Sequence, residues 1–501
     1  NMTWSNILTY QTKIKKKHNL DLLAGYEINS KESDGLGTTI SNFARWDKPE
    51  VNNGVVYQSM GGSNSTTRIV SYITRANYDY DNKYYLGASW RTDGSSRLAR
   101  ENRWGNFWSL SGAWRVSSES FMKPLQNWLS DLKLRVSYGV NGTLPSSYYG
   151  YMGLSSLTSN YNDNPGITQS QLENKELTWE TNYNFNSGID LGFFDNRLNV
   201  TFEYYVRTTK NLLYSRPLSL ATGFSSYLAN IGKLQNKGYE LEIRSTNIET
   251  KDFRWSTSLN LGHNANKILK LDGDLKQVTS GTSIHKVGLP YSTYYMIEFA
   301  GIDPADGEPM FYKNTTDENG NLNKETTKDP RSAEKVILQC ADPTITGGLG
   351  NSISYKWFDL NFNVNFSFGA WNYDGSASKL EHGGDGTLNI PIYYRKRWQK
   401  EGDETSIERF VVGRSISMTD YATTRRLYSG DYVRLKNLTF GFTLPKTWTR
   451  KVGIDNIRLY ASGNNLLTWA AYDYIDPESG SSPSWDTPPM RTYTFGLEVK
   501  F

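Results

Sequence analysis

The sequence predicts an all-β chain, and within that class a transmembrane antiparallel β-barrel. Apolar and polar residues alternate over segments of ten residues or more, whereas soluble strands favour about five or six. The connections between these segments alternate between short and long. The composition is rich in aromatics (14%) and glycine (43 residues), while hydrophobic residues reach only 37%. That combination excludes disorder and suits a sheet with many turns.

Taken in order, residues 1–10 already read as a strand, and Lys15–His18 reads as its turn. Alternation recurs over Thr67–Tyr80 and Lys83–Arg91. In Asp131–Asn141 the apolar face is Leu132, Leu134, Val136, Tyr138 and Val140. From Leu198 the apolar positions are Leu198, Val200, Phe202, Tyr204 and Val206, and Gly238–Arg244 continues the pattern. The clearest case is FDLNFNVNFSF, where Phe358, Leu360, Phe362, Val364, Phe366 and Phe368 oppose Asp359, Asn361, Asn363, Asn365 and Ser367. Asp431–Leu444 changes phase near Asn437, which predicts a β-bulge. Ile457–Ser462 and the terminal Tyr493, Phe495, Leu497, Val499 and Phe501 complete about fifteen strands. A tilted strand needs about 9–11 residues to cross a bilayer with one face to lipid and the other to a polar interior.

The linkers are an independent test, because outer-membrane barrels place short turns on the periplasmic side and long loops outside. Long connections are expected at Lys31–Asn64, Thr92–Asn102, Gly142–Glu176, Tyr214–Ala229, Asn264–Pro343, Ala370–Ser429 and Ala471–Met490. Short ones fall between them at Lys15–His18, Asp81–Asn82, Phe194–Asn196, Asn247–Asp252, Tyr355–Trp357 and Pro445–Gly453. Ser117–Ser130 is intermediate, and its PLQNWLSDL segment is expected to form a helical turn. Inside lipid each unpaired N–H or C=O costs several kcal/mol, so the sheet must close. An odd strand count then requires strands from elsewhere, and the absence of a signal peptide places the natural N-terminus upstream.

Other functions find little support. The charge is nearly balanced, +4 from 55 basic and 51 acidic residues, so nucleic acid is not an expected partner. Cys340 is the single cysteine, and His18, His263, His285 and His382 are scattered. No nucleophile, phosphate-loop or metalloprotease motif occurs. Neither a cofactor nor a metal is expected. DENGNLNKE at Asp317–Glu325 has Asp317, Asn319 and Asn321 at calcium-loop spacing, but it lacks the glycine and the closing glutamate of such a loop. A polar loop tip is the preferred interpretation. Asp303–Glu308 (DPADGE) reads as a turn, and Lys15, Lys16 and Lys17 as a solvated one.

Several blocks, in order, carry a resemblance: SDLKLRVSYGVNGT, ELTWETNYNFNSGIDLGFFDNRLNVTFEYYVRTTKNLLY, NIGKLQNKGYELEI, GIDPADGEPMFY, DPTITGGLGNSISYKWFDLNFNVNFSFG, SGDYVRLKNLTFGFTLP, NIRLYASGNNLLTW and RTYTFGLEVKF. They resemble the C-terminal barrel part of SusC-type TonB-dependent outer-membrane transporters of Bacteroidetes. The resemblance implies a 22-stranded barrel, of which residues 1–501 are the C-terminal part, with an N-terminal plug domain and about seven further strands upstream. It also implies active import of a glycan or peptide oligomer together with a SusD-like surface lipoprotein. Energy would come from the TonB complex through the missing N-terminal region. Dimers of transporter–lipoprotein pairs, outer-membrane lipid around the barrel and an aromatic assembly signal at Phe501 follow from the same resemblance.

Aromatics at strand ends belong by default to the interfacial girdles, so only those in long loops are candidates for ligand stacking. The Ala370–Ser429 loop concentrates Trp371, Tyr373, Tyr393, Tyr394 and Trp398 beside Asp374 and Asp385. Loop packing or lipoprotein contact is the stronger expectation for them, and substrate contact the weaker. Two rivals remain: a passive porin or protein-translocating barrel, and a secreted soluble β-rich binding protein.

Overall fold

A computed structural model describes the chain except residues 163, 272, 274, 319, 385–387, 414–420, 450, 452, 473 and 480–487. Fifteen long strands form one sheet in which chain order is sheet order. They are β1 Met2–Ile14, β2 His18–Phe43, β3 Gly54–Tyr80, β4 Tyr84–Ser95, β5 Trp104–Arg115, β6 Leu129–Thr143, β7 Glu180–Phe193, β8 Leu198–Lys210, β9 Lys233–Glu249, β10 Phe253–Lys270, β11 Ile345–Tyr355, β12 Phe358–Phe368, β13 Tyr432–Thr443, β14 Asn456–Ala470 and β15 Thr492–Lys500. Tight turns join alternate pairs, and left-handed non-glycine residues close several of them: Lys15 and Lys16, Asp81 and Asn82, Phe194 to Asn196, and Lys356. The chain divides into two compact units, residues 1–122, 133–187 and 206–235, and residues 123–132, 188–205 and 236–501.

In the first unit the outward face carries two aromatic rows. Trp4, Tyr26, Tyr72 and Trp104 follow one another at ring separations of 6.0, 5.1 and 6.2 Å. His18, Tyr80, Tyr84 and Trp114 form the second row beside the short turns, at 5.0, 6.4 and 6.4 Å. From Tyr72 to Tyr80 is about 26 Å of strand, close to the apolar band of roughly 25 Å that such barrels present to lipid. Leu20, Leu22 and Ala24 of β2 lie between the rows, as do Leu86 and Ala88 of β4.

In the second unit the Phe358–Phe368 row continues sideways through the register. Leu360 pairs with Ile353 and Phe440, Val364 with Leu349 and Leu435, and Phe366 with Gly347 and Val433. Phe358 and Phe368 are exposed, and the rest of the row is half-buried within the plane of the sheet. No second protein layer covers it among the described residues. On the same face Asn351 is satisfied locally, its Oδ1 accepting from Trp255 Nε1 (2.9 Å) and Thr257 Oγ1 (2.8 Å). An unsatisfied amide there would cost several kcal/mol. The opposite face is polar: Thr201, Glu203, Glu240, Glu242, Asn260, Asn365 and Ser367 line a groove of about 660 Å³.

The expected bulge is present. Register shifts between Leu435 and Asn437 leave Lys436 without an opposite residue. Two expectations need correction. Lys31–Asn64 is mostly strand, because β2 and β3 pair from His18↔Tyr80 up to Phe43↔Gly54. Once a ribbon leaves lipid both faces meet water and the hydrophobic alternation that marks a strand disappears. The helical turn falls on Ser120–Leu125 as a 3₁₀ helix, ahead of most of PLQNWLSDL, and β6 already begins at Leu129.

Candidate functional site in the long loops

The sequence candidates sit in the connection between β12 and β13, and the structure fastens that loop to the connection between β10 and β11. At its neck Trp371–Tyr373 pairs with Leu427–Ser429. Tyr373 packs with Tyr294, Met296 and Leu427, and its N–H donates to Tyr294 Oη at 3.2 Å. Farther out, Phe299 N–H donates to Thr424 Oγ1 (3.0 Å) while the Arg425 guanidinium lies over the Phe299 ring. Trp398 donates from Nε1 to Pro304 O at 2.9 Å. Its ring covers Gly307, whose φ of +73° and lack of a side chain the contact requires. Arg409 pairs with Glu308 at 2.6 Å. The two longest loops are therefore one interlocked body.

An ionic centre holds that body together. Arg425 pairs with Glu408 and lies 3.6 Å from Glu381, while Arg426 Nε approaches Glu381 at 3.2 Å and its Nη2 donates to the Glu381 carbonyl at 3.0 Å. Burial alone would push the Glu408 carboxyl up, but the Arg425 charge outweighs it and holds Glu408 below the usual carboxylate range. Tyr394, only 1% exposed, donates to Glu408 at 2.9 Å, and Tyr393 donates to Glu381 at 2.5 Å. Burial first, and these carboxylates second, raise both phenols well above the ordinary tyrosine value.

Three of the six sequence candidates are thus buried within the body. Tyr373 and Tyr394 pack inside, and Asp374 caps the helix Gly375–Leu380 by accepting from Ala377 N at 2.7 Å. Trp371, Tyr393 and Trp398 keep part of their surface. Asp385 lies outside the described residues. The structure adds aromatics from the last long connection. Tyr472 stacks on Tyr428 at 3.7 Å and 11°, donates to Asp374 Oδ2 at 3.1 Å, and leads through Tyr474 (5.3 Å) to Tyr393 (5.4 Å). Tyr474 is largely exposed. The criterion that singled out loop aromatics applies equally to AAYDYIDPES, so Tyr472 and Tyr474 were within reach of sequence. Such a stair of amphipathic rings can stack on sugar faces or on peptide side chains.

The acidic turns bind the chain's own cations. Lys328 Nζ bridges Asp303 (2.6 Å) and Asp306 (2.7 Å), and hydrogen bonds from it hold both carboxyls below their usual range. In the DENGNLNKE tip Asp317 accepts from Asn321 N–H at 2.7 Å, and Asn319 lies outside the described residues. Among the described residues no group of three His, Cys, Asp or Glu side chains is placed to hold a metal. No described helix is long and apolar enough to cross a membrane.

The profile of the TonB dependent receptor-like β-barrel family matches residues 2–466. The chain belongs to that family. Members are outer-membrane β-barrel transporters rather than enzymes. The chain is 33% identical over 99% of its length to TonB-dependent receptor P3 of Formosa agariphila, and 30% identical over 86% to TonB-dependent receptor SusC of Bacteroides thetaiotaomicron. It covers 52% and 44% of those proteins, so it spans about half the length of the curated relatives it matches. Among solved structures, the RagAB peptide transporter superposes with a TM-score of 0.86 at 29% identity, covering all of this chain and 55% of that one.

Proposed function

We propose that residues 1–501 are the C-terminal part of the barrel of a TonB-dependent importer that takes up nutrient oligomers, glycan or peptide, together with a SusD-like surface lipoprotein. A plug domain and the first strands stand upstream, the TonB complex supplies energy through that region, and transporter–lipoprotein pairs associate as dimers. The observation that carries this reading is the superposition of the whole chain on a peptide transporter. A sheet with lipid outside and a wide polar groove inside supports it. Within the site, Trp371, Tyr393 and Trp398 contact the passing solute, while Tyr373, Asp374 and Tyr394 hold them in place. Phe501, exposed beyond β15, is the aromatic of the assembly signal.

Uptake by intact cells tests it. Import should stop when an uncoupler collapses the proton-motive force. Unchanged uptake would favour the passive barrel instead, and a chain that stays monodisperse without detergent would overturn the membrane assignment.

A further inference from the structure

Between the two aromatic rows of the first unit, the outward face of the sheet is unevenly filled. Ala24, Ala76 and Ala88 floor a groove of about 470 Å³ that Tyr10, Leu22 and Trp90 wall. The register makes it continuous across four strands. Leu22 stands between Tyr10 and Ala76, Ala76 pairs with Ala88, and Ala24 leads through Thr74 to Trp90. Thr74 is satisfied locally, its Oγ1 donating to Trp90 O at 3.4 Å, so the floor stays apolar. A further strand beside β1 would pair in the plane of the sheet and leave this face as it is.

On the same strands, beside the row of His18 and Tyr80, the Lys15–Lys17 turn carries charge on an unfavourable backbone. Lys15 and Lys16 hold φ of +50° and +61°, a region that Asn, Asp and Gly enter most readily. The neighbouring turn follows that preference with Asp81 and Asn82. Lys17 pairs with Asp81 and Lys83 with Glu119, both at 3.4 Å. Lys15 and Lys16 are exposed and have no partner among the described residues. The rim next to them is fixed, His18 Nδ1 lying 2.8 Å from Tyr78 Oη and the His18 ring 5.0 Å from that of Tyr80. Amphipathic rings of this kind sit at headgroup level, where ammonium groups attract anionic lipid. From His18 to Leu22 is about 13 Å of strand and to Ala24 about 20 Å, while one leaflet contributes about 15 Å of hydrocarbon. An acyl chain whose head rests at the turn therefore ends in the groove.

We propose that this face holds a phospholipid of the periplasmic leaflet, with its phosphate at Lys15 and Lys16 and one acyl chain in the groove floored by Ala24, Ala76 and Ala88. Lipid is the occupant because the groove opens between the two rows, where hydrocarbon is the solvent. A second copy docking by the same face about a two-fold axis would instead set lysine against lysine. The turn attracts the head and the groove takes the chain, so neither free phosphate nor an uncharged lipid fills the whole site. The inference stands on the place of the barrel in the outer membrane and is independent of the solute carried.

The test uses the intact transporter in detergent, equilibrated with phosphatidylglycerol, with diacylglycerol or with inorganic phosphate, and native mass spectrometry counts what stays bound. Phosphatidylglycerol should be retained, and diacylglycerol and phosphate should not. Lys15→Asn with Lys16→Asn, which suits the turn, should lower retention about tenfold. Ala76→Phe with Ala88→Phe, which fills the groove, should lower it by about as much, and heat-modifiability in gels should show both variants folded. A phosphatidylglycerol carrying a diazirine near the end of one chain should label the peptides that contain Leu22 and Ala76. Retention of diacylglycerol, displacement of the lipid by phosphate, a loss in only one of the two folded variants, labelling elsewhere, or a second copy of the chain in place of lipid would each overturn the proposal.

Discussion

Arg458 reaches from β14 across β13 to Asp359 on β12, with Nη2 2.8 Å from Oδ2, and the bridge passes directly over Gly441. A Cβ at that glycine would collide with both the carboxylate and the guanidinium. The same device recurs on the polar face, where Tyr205 crosses Gly238 to donate to Asn264 at 3.0 Å. Long polar side chains thereby tie strands that are not neighbours, and glycine supplies the clearance.

Gly441→Leu should break the Arg458–Asp359 bridge and cost about 1–3 kcal/mol through overpacking. Arg458→Ala made on top of it should cost little more, because the interaction is already lost. Denaturant unfolding of the intact transporter in vesicles measures both, and additive losses would show that the glycine and the bridge are independent.

On the opposite face, Phe362→Arg should cost about 2–4 kcal/mol of membrane stability, whereas Asn363→Arg, one residue on and facing the interior, should cost about 0–1. Folding into lipid vesicles reads the difference. Equal losses would reverse the assignment of the two faces.

Glu408→Gln should leave the buried Arg425 without its nearest counter-charge and loosen the loop body by about 3–5 kcal/mol. Protease cutting within residues 369–431 should rise steeply while the barrel still resists heat in gels. Loss of the barrel as well would mean that this centre supports more than the loops.

Titration should bracket the stability of the same body. Glu408 has its folded value lowered, so its contribution is present above the unfolded value of about 4.3 and is lost as pH falls through the folded one. Tyr393 and Tyr394 have theirs raised, so their contribution is complete below the unfolded value of about 10 and is lost as pH rises through the folded one. Proteolysis of the loops should therefore be slowest between about pH 5 and 9, with these phenols showing tyrosinate absorbance only after the exposed tyrosines have ionised. Early titration of Tyr394 would contradict its burial.

Much of the strand framework was legible because lipid on one side and water on the other impose a two-residue period that any reader of FDLNFNVNFSF can count. The bulge near Asn437 was legible for the same reason, as a break in that period. Lys31–Asn64 was misjudged because a ribbon in water carries no such contrast. For the candidate site, composition drew attention to Trp371, Tyr393 and Trp398. It could not separate them from Tyr373 and Tyr394, since a tyrosine donating to a buried carboxylate and one awaiting a ligand are spelled alike. Sequence by itself determined the fold class and the alternation of turns and loops, both of which follow from local periodicity. Only the tertiary structure decided that Arg425 meets Glu408 and that Trp398 covers Gly307, because those contacts join residues far apart in the chain through packing that no local pattern encodes.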